Sequence, residues 1–303
     1  MMSTPYLSQH PIPVILDTDI GDDMDDTWAL AMLLGCPQLD LKLITLAADD
    51  TPAKTRLVAK MLELTGETRI PLATGRKTSD KVLNLAHWLG DYTLTDYPGE
   101  VRDDAAGEII KLINASPVPV TVIAIGPVCN LADALARDPA IAHKSRVIWM
   151  GGGIDIGYKG GPPEPEYNVY SGIPEAQALF ASEWDITLVP IDACIDAVIR
   201  GDYFQRIRHS RRAWCRVVME TYESWANRPQ YPIGESSNLY DAVAIYAAFS
   251  EEYSHVETMT LAIDDRGLTY RDPRGRTARV LMGWDDQPAF KNLVTEAILG
   301  ELL

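Results

Sequence analysis

Apolar runs of strand length alternate with helical spacings along the first two thirds of the chain. Residues 14–16 form a short continuous apolar run, the pattern of a strand covered on both faces. Residues 25–34 carry helical spacing and are stopped by Gly35 and Pro37. The alternation continues with strands at 41–47 and 70–73 around a helix at 53–64 that ends at Gly66. Strands at 118–125, 146–150 and 186–191 then interleave with helices at 105–114, 131–137 and 174–182. Such an order predicts an α/β fold: an open, mostly parallel, Rossmann-like sheet flanked by helices. Beyond about residue 200 the pattern turns mainly helical, at 211–227 and 239–249. Runs at 256–263, 268–270 and 278–282 predict a short antiparallel hairpin addition. No linker or repeat interrupts the chain, so residues 1–303 are expected to form one domain.

Charge narrows the partners. The formal net charge is −16 over 303 residues, which repels nucleic-acid phosphates and argues against a nucleic acid polymer. Cys36, Cys129, Cys194 and Cys215 form no CxxC pair and read as reduced, buried thiols of a cytoplasmic protein. The five histidines are scattered, without zinc-site spacing. No apolar segment predicts a membrane span, and residues 1–6 read as a short disordered arm.

The chemistry concentrates between residues 17 and 26, where six aspartates fall at a predicted strand-to-helix junction. Ligands of open α/β sheets bind beyond the carboxyl ends of the strands, where Asp17 and Asp19 would project. Gly21 would permit the turn, and Asp25 or Asp26 would cap the helix that follows. Carboxylates this close repel one another, and a hard divalent cation is the simplest way to keep them ionised together. Asp22 and Asp23 are equally well read as turn formers. The spacing is not that of an EF-hand.

The segment Asp17-Thr-Asp-Ile-Gly followed by Asp25-Asp26-Thr-Trp-Ala-Leu resembles the N-terminal signature of the nucleoside hydrolases of the inosine-uridine-preferring type. Further pieces follow in the family's order. Ile125-Gly-Pro-Val-Cys-Asn-Leu-Ala is similar to its GPLTNLA stretch, and Met150-Gly-Gly-Gly followed by Glu166-Tyr-Asn168 to its MGGG…E-x-N stretch. Tyr240-Asp241 stands at its C-terminal aspartate, and Asp264-Asp-Arg-Gly-Leu-Thr with Asp272-Pro-Arg-Gly resembles its late hairpin. The resemblance implies Ca2+ held by Asp19, Asp26, Asp241 and the backbone carbonyl of Cys129. It implies Asp25, Glu166 and Asn168 on the ribose hydroxyls; Asp50, where the family differs, can still accept from a hydroxyl there. It also implies metal-bound water as nucleophile, Asp19 as general base, and release of ribose and free base from a nucleoside. By the same analogy the protein is expected to be a homodimer or homotetramer.

Four departures bear on these expectations. The aspartate run is two residues longer than the commoner form, so Asp23 is the alternative occupant of one role given to Asp25 or Asp26. Asp49-Asp50-Thr51 stands where the family has Gly-Asn, and an asparagine often found in the loop before the Glu is missing. Tyr240 replaces a histidine thought to protonate the departing base. Tyr222, Trp225 and Tyr231 are candidates for a stacking wall, though each singly fits a core or surface role better. Gly151–Gly153 does not fit a phosphate cradle and is expected to let the backbone pass near the sugar. Glu164 reads as a solvated loop charge. Two other functions fit the same residues: a metal-dependent phosphohydrolase, which would need a basic residue near the aspartates, and a non-catalytic sugar- or nucleoside-binding protein.

Overall fold

The computed structural model describes residues 11–226 and 234–302. Its strands are β1 (Ile12–Thr18), β2 (Leu39–Leu46), β3 (Leu72–Thr74), β4 (Val101–Arg102), β5 (Val120–Ala124), β6 (Ser145–Met150), β7 (Asp185–Val189), β8 (Ser254–Ile263), β9 (Thr269–Arg271) and β10 (Arg276–Trp284). They form one ten-stranded sheet in the order β4-β3-β2-β1-β5-β6-β7-β10-β8-β9. Every pairing from β4 across to β10 is parallel, and only β8 runs against its neighbours. The last strands therefore complete the central sheet, since β10 pairs with β7 in parallel. They are also longer than the hairpin expected from the pattern.

The parallel strands are continuous apolar runs because both faces are covered. On β1, Val14 and Leu16 enter one core while Ile15 enters the other. The same alternation divides Ile123 from Val122 and Ile148 from Val147. Helix Asp25–Leu34 is buried almost all round, because the helices Tyr240–Phe249 and Gln287–Leu299 cover the side that the sheet does not. No helix among the described residues is long and apolar enough to cross a membrane. The N-terminal arm, Asn227 and Tyr231 lie outside the described residues.

One topological feature positions the site. Chain order runs from β1 to β2 on one side, and the next strand on the other side of β1 is β5. The reversal opens a crevice beyond the carboxyl ends of β1 and β5. The aspartate run leaves β1 into that crevice, and the segment beginning at Ile125 leaves β5 beside it.

Candidate active site

Asp17 is buried at the end of β1 and serves the frame. Its Oδ1 accepts from Thr45 Oγ1 at 2.5 Å and from Asn130 Nδ2 at 2.8 Å, tying β1 to β2 and to the helix after β5. Burial outweighs these bonds and pushes its carboxyl up to about 7. Gly21 takes φ +129°, a conformation that a side chain would strain, and turns the chain back toward the helix. Gly126 passes so close to Asp19 that a Cβ there would lie 2.8 Å from Asp19 Oδ1.

The structure differs from expectation at the helix start. Met24 is the N-cap residue, without a side-chain cap, and Asp25 and Asp26 occupy the first turn. Asp26 Oδ1 accepts instead from Thr18 Oγ1 at 2.5 Å. Asp241 comes from the first turn of helix Tyr240–Phe249, which packs against Asp25–Leu34. Carboxylate oxygens of Asp25, Asp26 and Asp241 lie within 4.8 Å of one another. All three carboxyls are pushed well above the usual range, first by burial and then by the charges of neighbouring aspartates. An all-oxygen group that repels itself this way fits a hard dication.

Asp19 and Asp241 line the same cavity of about 320 Å³ as Asp25 and Asp26. Burial raises the Asp19 carboxyl to about 6, opposed by the nearby ammonium of Lys54. Lys54 is itself fully buried and donates to the carbonyls of Asp19 at 2.7 Å and Ala47 at 3.3 Å. The sequence reading missed this residue. Its signal was position: Lys54 falls on the same helix face as the buried Leu57 and Val58.

Glu166 and Asn168 also line the cavity. Glu166 accepts from the backbone N–H groups of Gly152 (3.0 Å), Asn168 (2.9 Å) and Val169 (3.2 Å), yet burial still carries it up to about 7. Asn168 Nδ2 reaches the carbonyls of Ile125 at 3.3 Å and Met150 at 3.1 Å. The glycines at 151–153 are not among the lining residues. Gly152 seats Glu166, and a Cβ on it would meet Thr269 Oγ1 at 2.7 Å.

Other expected residues stand elsewhere. Asp50 is not a lining residue; it caps helix Thr51–Thr65 through Ala53 N at 3.0 Å and pairs with Lys77 at 2.9 Å. The reason is local: Ala48 and Asp49 both adopt left-handed backbone, φ 58° and 51°, which hands Asp50 to the helix. Asp49 meets Ser79 and Lys81 instead. Cys129 is buried at the start of its helix and is not a lining residue. Trp225 and Tyr222 belong to the core, where Trp225 Nε1 donates to the Asp22 carbonyl at 3.0 Å. Glu164 is exposed and accepts from Tyr158 N at 3.1 Å.

Three tyrosines line the cavity: Tyr158, Tyr167 and Tyr240. Tyr158 and Tyr240 meet edge to face at 6.0 Å. Burial pushes the Tyr240 phenol up to about 12. Lys81 and Asn84 also line the cavity, both on the segment after β3 and neither foreseen. A second groove of about 490 Å³ lies beside Phe180 and Arg274, away from the aspartates.

Most of the residues that converge here belong to the sequence motifs, and the match extends along the chain: residues 14–295 fit the family described as inosine-uridine preferring nucleoside hydrolase. The chain belongs to this family. It is 31% identical over 220 residues to a pyrimidine-specific ribonucleoside hydrolase, RihA, of Citrobacter koseri, covering 69% of each chain. In fold it is similar to a plant nucleoside hydrolase, PpNRh1, with TM-score 0.82 at 23% identity, over 95% of this chain and 99% of that one. It is also similar to a purine-preferring ribonucleoside hydrolase from Gardnerella vaginalis, with TM-score 0.79 at 22% identity, over 95% and 98% of the two chains. The relatives it resembles are thus named for different bases, one pyrimidine-specific and one purine-preferring.

Proposed function

We propose that the protein hydrolyses the N-glycosidic bond of ribonucleosides, releasing ribose and free base. One observation carries this reading: Asp25, Asp26 and Asp241 gather at the switch point of a chain that belongs to the nucleoside hydrolases. The all-oxygen donors suit calcium or magnesium, and calcium is the cation proposed because the resemblance implies it. Asp19, Asp26 and Asp241, which line the cavity, would hold it; the Cys129 carbonyl is the further donor that the resemblance implies, although Cys129 is not itself a lining residue, and the closeness of Asp25 to Asp26 and Asp241 supports a further carboxylate shared between cation and ribose. When bound, such a cation supplies Lewis acidity and orients the sugar diol.

The chain's own residues do the rest. The transition state is oxocarbenium-like, so positive charge grows on the sugar and favours a surrounding of carboxylates. Asp19, which faces the cavity, would accept a proton from the attacking water as general base. Glu166 and Asn168 fix the ribose; with Nδ2 spent on two carbonyls, Asn168 offers its oxygen as acceptor. Tyr240 keeps its proton at neutral pH and serves as a hydrogen-bond donor toward the departing base.

The two alternatives fare differently. Seven carboxylic residues line the cavity beside one lysine among the described residues, an unfavourable setting for phosphate. The binding-protein reading is tested together with the main one. Incubation with uridine or inosine in 18O-labelled water should yield free base and ribose carrying one labelled oxygen. Saturable nucleoside binding with no ribose formed would leave a binding protein.

A further inference from the structure

We infer that Lys81 is the leaving-group residue of this site: its ammonium takes up the negative charge that develops on the departing base. The inference rests on the hydrolase reading and adds a residue that neither the motifs nor the relatives assign.

Asp19, Asp26 and Asp241 are all less than a tenth exposed and form the floor of the cavity. Lys81, with its side chain 44% exposed, and Tyr167, 41% exposed, stand toward solvent. A ribose drawn to the floor by its hydroxyls extends its base toward that open side. Lys81 is the cationic side chain among the described lining residues.

Its ammonium is held in place but not consumed. Nζ lies 2.9 Å from Asp22 Oδ2, 3.4 Å from Tyr167 Oη and 3.6 Å from Asp49 Oδ2, and it sits 5.5 Å from the centre of the Tyr167 ring. Only the first is a short contact, so the remaining N–H groups can turn to a stronger acceptor. The Tyr167 ring offers that acceptor, a base, an apolar face to lie against. The neighbouring Asp22 carboxylate raises the Lys81 ammonium further above its ordinary value, so it stays charged throughout.

The step balances without any further reactant. The bond between the anomeric carbon and the base nitrogen breaks, and its electron pair goes to the base. Water oxygen bonds to the anomeric carbon and gives a proton to Asp19. Lys81 stabilises the base anion by a charge-assisted hydrogen bond, without surrendering its proton. The base then takes a proton from solvent while Asp19 returns one, so one water is consumed overall.

The test compares two ribosides in wild type, Lys81→Met and Lys81→Arg, with calcium present. One is uridine or inosine, whose base is a poor leaving group. The other is 4-nitrophenyl riboside, which departs as a stable phenolate and needs no help. Lys81→Met should lower kcat on the nucleoside about 100-fold, with the 4-nitrophenyl riboside rate falling far less. Lys81→Arg should recover about tenfold or more of the loss. Equal losses on both substrates would overturn the inference and make Lys81 a merely structural residue. An unchanged nucleoside rate in Lys81→Met would overturn it also. A wild-type protein inert toward both ribosides would sink the hydrolase reading itself.

Discussion

The ammonium of Lys54 lies 2.7 Å from the carbonyl oxygen of Asp19, wholly inside the protein. A buried cation is thereby anchored to the backbone of the residue proposed as general base. Its charge opposes the burial that raises the Asp19 carboxyl. Replacing it with methionine keeps the volume but leaves two carbonyls short of a donor. Lys54→Met should cost about 1–3 kcal/mol of stability, read as a lower urea midpoint. In the protein that still folds, the acid limb of the pH–rate profile should move upward. An unchanged midpoint and profile would remove Lys54 from the account.

Asp26 separates the metal reading from a purely structural one. Asp26→Ala should reduce nucleoside turnover about 100-fold or more, and calcium affinity in a titration should fall with it. Added calcium should restore part of the rate. Full activity at trace calcium would show that the carboxylate is not a ligand.

The raised carboxyls set the pH dependence of stability. Asp17 and Glu166 move up to about 7 and Asp19 to about 6, from ordinary values of 3.8, 4.5 and 3.8. The native state therefore holds protons more tightly than the unfolded chain between those values. Stability of the metal-free protein is greatest below that window and falls as pH rises through it. Urea midpoints in EDTA should be lower at pH 8 than at pH 5, and calcium should lessen the difference by stabilising the ionised carboxylates. A midpoint that rises with pH in EDTA would contradict these shifts.

Asp50 gives a test in the opposite sense. As a helix cap paired with Lys77, Asp50→Ala should cost about 0.5–2 kcal/mol while KM for the nucleoside changes little. A large rise in KM without loss of stability would return Asp50 to the ribose.

What was legible in the sequence follows from how local each signal is. Helix Asp25–Leu34 was read to its ends, because spacing and the Gly35 stop are both local. The two-residue β4 and the four-residue Ala86–Leu89 are too short to carry a period. Helix Gln287–Leu299 was missed although Asp286, Pro288 and Gly300 bracket it with start and stop signals. In the site, Asp25, Asp26 and Asp241 converge as the motif order implied, since each sits in the first turn of a long helix. Asp50 was misplaced because motif alignment carries no sign of the left-handed turn at Ala48–Asp49. Lys54 and Lys81 were missed because a lysine reads as surface, and their aspartate partners Asp19, Asp22 and Asp49 lie about 30 residues or more away in the chain.

The central claim is that the acidic crevice uses a divalent cation to hydrolyse a nucleoside. Its most direct test is reducing-sugar release from a panel of purine and pyrimidine nucleosides, in EDTA and after calcium is restored. The account predicts release that stops in EDTA and returns with calcium, with the fastest substrate naming the base. Undiminished release in EDTA, or none from any nucleoside with calcium demonstrably bound, would contradict it.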